Sequence, residues 1–131
     1  MKNRYAFNIL SSMLLSAILL AGCNSENTGA ENVIKAYIQA LSEKDSDQIS
    51  ILSCADWEQN AIIEVDSFTN IGSQLKNLEC NQIGQEAGDV FVSCTGVLQL
   101  DYDGEDQQID LSDRTYIARQ DGDDWRMCGY R

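Results

Sequence analysis

The sequence predicts an α+β domain in which N-terminal helices pack on a curved antiparallel four-stranded meander. Three observations carry this prediction. Val33, Ile34, Tyr37, Ile38 and Leu41 recur at helical spacing. Val90 to Leu100 is rich in β-formers and puts Val90, Val92, Cys94, Leu98 and Leu100 on one face. Helical patterns come first and strand patterns after, with no alternation of the two, which separates α+β from α/β.

The elements follow in order. Thr28-Gly29-Ala30-Glu31 has the form of a capping box for the first helix, and Glu31 and Lys35 can pair at i, i+4 on its wet face. Asp45 or Ser46 caps a short second helix that carries Ile49 and Leu52. A third helix is expected from Ala55 to Phe68, with Trp57, Ala61, Ile62, Val65 and Phe68 inward. After Ser73 the pattern changes. Leu75 to Ile83 forms a strand, and Gly84 to Asp89 turns it back into Val90 to Leu100. Asp103-Gly104 is a favoured hairpin pair. Gln107 to Ala118 returns as one strand with Ile109, Leu111 and Ile117 alternating, and Gln120 to Asp124 turns into a last strand from Trp125 to Arg131.

The chain has 131 residues, 9 Lys plus Arg and 21 Asp plus Glu. Residues 1–22 have the plan of an export leader. Lys2 and Arg4 give a positive start, Met13 to Leu20 an apolar run too short to span a membrane, and Ala21-Gly22 a small-residue end. The cysteine that follows makes Leu20-Ala21-Gly22-Cys23 resemble the bacterial lipobox. The resemblance implies a diacylglyceryl group on the Cys23 thiol and cleavage before it. Two or more acyl chains suffice for stable anchoring. The domain organisation expected is therefore a leader at 1–22, a lipidated polar tether at 23–30 and one domain at 31–131. The address is a cell membrane or outer membrane, with the domain outside the cytoplasm. Asn24, where many inner-membrane lipoproteins carry an aspartate, favours the outer one.

Cleavage leaves 131 − 22 = 109 residues with a formal charge of 7 − 21 = −14. That surface repels phosphate backbones and anionic headgroups, so a nucleic-acid partner is excluded and the domain stands off the bilayer. Cys54, Cys80, Cys94 and Cys128 remain for two disulfides in an oxidising compartment. Strand register selects among the three pairings. A hairpin turning about Ala87 sets Cys80 opposite Cys94. Hairpins at Asp103-Gly104 and Gly122 set Cys94 against about Asp113 and Cys128 against about Tyr116, a whole strand apart. Cys54 is left for Cys128. Side-chain parity opposes that second bond unless a β-bulge or a wrapped helix end reorients Cys128.

Element order and the closing Gly122-Asp123-Asp124-Trp125-Arg126-Met127 resemble the nuclear transport factor 2-like superfamily, with a cystatin-like arrangement as the alternative. The resemblance covers about residues 29 to 131 and implies a bent sheet wrapped round a long helix, a cone with a pocket at its open end. Trp57, Trp125 and Tyr116 are then candidate binding residues, and bulky Phe91 a further lining residue. Enzymes of the superfamily commonly use an Asp-His pair, and this chain has no histidine. A ketosteroid-isomerase-like site needs a carboxylate base opposite a phenol and a protonated acid. Tyr37, Tyr102, Tyr116 and Tyr130 offer phenols, but no spacing selects a set. A non-catalytic domain is expected, with no cofactor and no metal. The carboxylates of Asp101 to Asp106 lack the spacing of a calcium loop and read as a turn, as do Asp121 to Asp124. Two functions remain: contact with another envelope protein through the outer sheet face or acidic surface, or capture of a small apolar ligand in the cone.

Overall fold

The computed structural model describes residues 29–131; the expected leader, Cys23 and the expected cap Thr28 lie outside them. Helix α1 (Gly29–Glu43) buries Val33, Ile34, Tyr37, Ile38 and Leu41, the stripe its spacing predicts. Gly29 and Ala30 are already helical, as the capping box at Thr28 implies. Lys44 ends it in the left-handed region at φ 60°, with its own N–H on the Leu41 carbonyl and the Asp45 N–H on that of Ala40. This closure normally falls to glycine. Asp45 then caps α2 (Ser46–Leu52), accepting from the Gln48 N–H. Helix α3 (Glu58–Ser67) is shorter than expected, because residues 55–57 form a turn ahead of it.

Five strands follow: β1 (Gly72–Glu86), β2 (Asp89–Tyr102), β3 (Glu105–Asp110), β4 (Thr115–Asp121) and β5 (Asp124–Tyr130). The order is β1-β2-β4-β5, all antiparallel, and β3 also pairs with β2. The single return strand expected from Gln107 to Ala118 is therefore two. A 3-10 turn at Leu111–Asp113 breaks it, and the Asp110 carboxylate caps that turn through the Ser112 N–H and Oγ. The far half of β2 pairs with β3, its near half with β4. The turn also changes parity. Tyr116 and Ala118, not Ile117, point into the core.

The core lies between α1 and the concave sheet face, where Val92, Cys94, Leu98, Leu100 and Met127 meet the α1 stripe. The edge of β1 is guarded rather than left open. Bulges interrupt it at Asn77–Leu78 and Ile83, and buried Glu31 of α1 accepts the Gln82 N–H at 2.7 Å. Both devices blunt edge-to-edge pairing. Glu31 is thus not on a wet face, and Lys35 reaches Glu79 instead, at 3.5 Å. Gly96 answers the first bulge. Its φ is +115°, and a Cβ there would lie 2.6 Å from the Lys76 carbonyl oxygen, so no other residue fits.

Two cysteine pairs stand at disulfide distance. Cys80 and Cys94 are direct cross-strand partners with Cα atoms 4.1 Å apart. Cys54 and Cys128 are 5.0 Å apart. The parity obstacle to the second pair is removed by a bulge at Cys128, since Ala118 faces Met127 while Ile117 faces Gly129. Tyr116 accordingly faces Tyr130, not Cys128 as the unbulged register would have it. The end of α2 meets this bulge edge-on, with the Cys54 N–H on the Met127 carbonyl at 2.7 Å. Two disulfides point to an oxidising, extracytoplasmic setting. No helix among the described residues is long and apolar enough to cross a membrane.

Candidate functional site

The most chemically loaded place in the cone centres on Glu64 of α3. Trp57, Ala61, Glu64, Val65 and Phe68 fall on one helical face, so folding carries an acid inward together with the apolar residues. An isolated carboxylate there would be costly, and the surrounding elements supply donors. Tyr37 of α1 donates its phenol proton to Glu64 Oε2 at 2.8 Å, and Tyr130 of β5 donates to the same oxygen at 2.7 Å. Arg114, just before β4, donates from Nη1 to Oε1 at 3.1 Å. Trp57 Nε1–H reaches the Tyr37 oxygen at 3.4 Å, so the chain of donors continues to the α2–α3 turn.

Aromatic packing closes the arrangement. The Tyr130 ring meets Trp57 and Tyr116 edge-on, each with centroids 5.3 Å apart, and the Arg114 guanidinium lies 4.7 Å from its centre. Tyr37 and Tyr116 are fully buried. Burial, followed by the charge of Glu64, drives the Tyr37 and Tyr130 phenols far above the ordinary tyrosine range. Tyr116 is pushed up to about 12 by burial, against the opposing pull of Arg114.

The sign of the consequence is definite. A phenol whose folded pKa is raised keeps its full contribution to stability below the unfolded value near 10. That contribution is lost as pH climbs toward the folded value. Alkaline titration is therefore expected to leave the fold intact to about pH 10, then unfold it, with tyrosinate absorbance from these rings rising together with loss of far-ultraviolet dichroism. Tyrosinate absorbance from all three rings at lower pH, with the fold retained, would contradict the buried placement.

What this arrangement can do chemically follows from its saturation. Both Glu64 oxygens already accept hydrogen bonds, one from two phenols and one from a guanidinium. The tyrosines donate to the carboxylate itself, whereas a ketosteroid-isomerase-like site sets a phenol across a gap from its base. The third participant of such a site, a protonated acid, does not appear among the partners of Glu64. Five surface hollows have volumes from 130 to 300 Å3, and neither Glu64 nor these three tyrosines line any of the five.

The residues named from sequence divide accordingly. Trp57 and Tyr116 meet around Tyr130, as side chains that fill the cone. Trp125 sits elsewhere, paired to Gln120, four residues along β4 from Tyr116, and its indole abuts Gly29 at the start of α1. Phe91 does not line the cone. Val90 and Val92 take the inward positions of β2, so Phe91 faces outward, beneath the Arg131 guanidinium at 3.7 Å. At the β2–β3 turn, Asp101 Oδ1 accepts the Gly104 N–H at 2.6 Å, so that carboxylate holds the hairpin. Cys23, the proposed lipid site, lies outside the described residues. Sequence reasoning missed Glu64 and Arg114. The available signal for Glu64 was an acid on the core-facing stripe of α3.

No known protein family matches the chain, and no curated protein matches its sequence. Solved structures do resemble it. A SEC-C motif containing protein from Rhodopseudomonas palustris aligns with a TM-score of 0.55 at 12% identity, over 79% of this chain and 80% of that one. An uncharacterized protein with a cystatin-like fold from Caulobacter vibrioides aligns at 0.50 and 14% identity, over 73% and 80%. A nuclear transport factor 2-like protein from Novosphingobium aromaticivorans aligns at 0.48 and 13%, over 74% and 73%. At these identities the likeness is of fold alone, and it rests on the first two. The described residues form an α+β fold of three helices on a curved antiparallel sheet, similar to the cystatin-like fold of the Caulobacter protein.

Proposed function

We propose that this chain is a lipid-anchored domain of the cell envelope that works by contact with another protein and performs no catalysis. The observation that carries this reading is the filled cone. Where a ligand or substrate would sit, Tyr37, Tyr116 and the Glu64–Tyr130–Arg114 cluster occupy the space with their hydrogen-bonding capacity turned on one another. Ligand pockets are commonly roughly 300–1,000 Å3 and largely apolar. Five surface hollows hold 130 to 300 Å3 each. The outer surface offers more to a partner. Ile83, at a bulge of β1, and Ile63 of α3 are 58% and 60% exposed. A strongly acidic surface around them suits a basic partner.

Attachment is the separable half of the reading. The Cys23→Ser chain is expected to accumulate as uncleaved precursor and take up no fatty-acid analogue in metabolic labelling. Label retained by the Cys23→Ser protein would overturn the anchor. The catalytic half is tested by turnover. No activity above background is expected on steroid-like or polyketide-like substrates. A bell-shaped pH–rate profile abolished by Glu64→Gln would reverse the assignment.

A further inference from the structure

The lipid reading fixes one end of the chain in the bilayer, and the fold determines which end of the domain follows it. Cys23 to Gly29 is 29 − 23 = 6 steps along the chain. Six residues fully extended reach about 20 Å. Gly29 sits against the Trp125 indole, one residue from the acidic β4–β5 turn. Two residues on, Glu31 holds the Gln82 N–H near the β1–β2 turn. The opposite end of α1 meets the start of β1, where Ser73 Oγ–H donates to the Ser42 carbonyl at 2.6 Å. So α1 starts at the pole bearing the β1–β2 and β4–β5 turns and runs away from it.

That pole has a mixed character. Beside Gly29, Ile51, Leu52, Asp124, Trp125 and Arg126 line a small hollow of 130 Å3, and Ile51 is 56% exposed. Tryptophan, aliphatic and arginine side chains together suit the interface between headgroups and water. Around it the charge is negative. Arg119 and Arg126 already face Asp89, Asp56 and Asp124, while Asp121 and Asp123 are exposed on the turn.

We infer that this pole is the end of the domain nearest the bilayer that holds the anchor, facing it across the stand-off that the tether and the acidic surface set. The inference rests on lipidation at Cys23. Its acidic rim makes the approach closer on zwitterionic lipid than on anionic lipid at low salt, because like charges repel within a Debye length. The opposite pole, with the β2–β3 hairpin, then points into the aqueous space.

The test uses the full lipidated protein in phosphatidylcholine vesicles carrying an acceptor dye on a fraction of the headgroups. A donor dye is placed through Gln85→Cys or Gln107→Cys, both exposed positions. Their partners on β2 are Val90 and Leu100, ten residues apart. At ~3.3 Å per residue that separates the dyes by about 33 Å along the strand. Energy transfer is expected to be several-fold stronger from position 85. It should fall at position 85 when phosphatidylglycerol replaces part of the lipid, and recover with salt. Equal or reversed transfer, with the N-terminal mass showing a lipidated Cys23, overturns the orientation and leaves the anchor standing. An N-terminal mass without lipid removes the anchor, and the orientation with it.

Discussion

Replacing Cys54 and Cys128 together by alanine is expected to lower unfolding free energy by about 4.5 kcal/mol, and replacing Cys80 and Cys94 together by about 3 kcal/mol. The difference comes from loop length. The first bond closes 74 residues and the second 14, and a longer loop loses more conformational freedom in the unfolded chain. Both losses together, about 7.5 kcal/mol, exceed the whole stability of many small domains. Reductant should therefore unfold the protein at 37 °C in buffer that leaves the oxidised form native. Denaturant unfolding of the two double variants measures the ranking. A smaller cost for the 54–128 pair than for the 80–94 pair would show that the helical layer is held to β5 by packing alone, with the bond at its edge contributing little.

Glu64→Ala is the second large effect, at about 2–4 kcal/mol of stability. The substitution leaves the Tyr37 and Tyr130 phenols and the Arg114 guanidinium without their common acceptor; Tyr37 is fully buried, whereas the Arg114 side chain is 39% exposed and can turn to water. Orphaning buried donors costs more than the bonds themselves contribute. Glu64→Gln retains one acceptor oxygen and the side-chain volume, so its cost should be clearly smaller. A double-mutant cycle with Tyr130→Phe should be strongly non-additive, because both changes break the same 2.7 Å contact. Additive losses would mean that the two residues act separately and that the cluster is not a unit. Neither result depends on lipidation, so the chain from residue 24 onward serves for the measurement.

How far the fold could be read from the chain depended on which residues carried period and which carried register. The stripe from Val33 to Leu41 and the run from Val90 to Leu100 are long and strongly periodic, and both are core as expected. The Cys80–Cys94 pairing was expected from a turn about Ala87 alone; the chain instead turns at Ala87–Gly88, a register that by itself would set Cys80 against Thr95, and the bulge at Ile83 restores the pairing. The break inside residues 107 to 118 was not visible, because Ile109, Leu111 and Ile117 keep one parity across it with no Gly or Pro between them. What breaks the strand is Asp110, whose carboxylate offers the Ser112 N–H an alternative to the ladder. Side-chain competition of this kind leaves no mark in hydrophobic periodicity.

The cone's contents were less readable still. Tyr116 and Trp57 stood out as large aromatics, but aromatics signal only bulk, and whether they line a space or fill it depends on what meets them. Here Tyr130 and Glu64 meet them. Glu64 and Arg114 lie 50 residues apart and become partners only when α3 crosses the β3–β4 break. Phe91 misled in the other direction. It sits between two inward valines, and strict alternation should have assigned it to the outer face from the start.

The central claim is that the domain meets a protein partner with a filled cone, and native mass spectrometry of the full lipidated chain, released gently from its own membrane, tests it most directly. The expected spectrum shows the chain in stoichiometric complex with another envelope protein and with no small molecule retained beyond its own lipid. A chain that carries a stoichiometric small apolar ligand and no protein partner would contradict the account. It would mean that the Glu64 cluster opens to admit a guest.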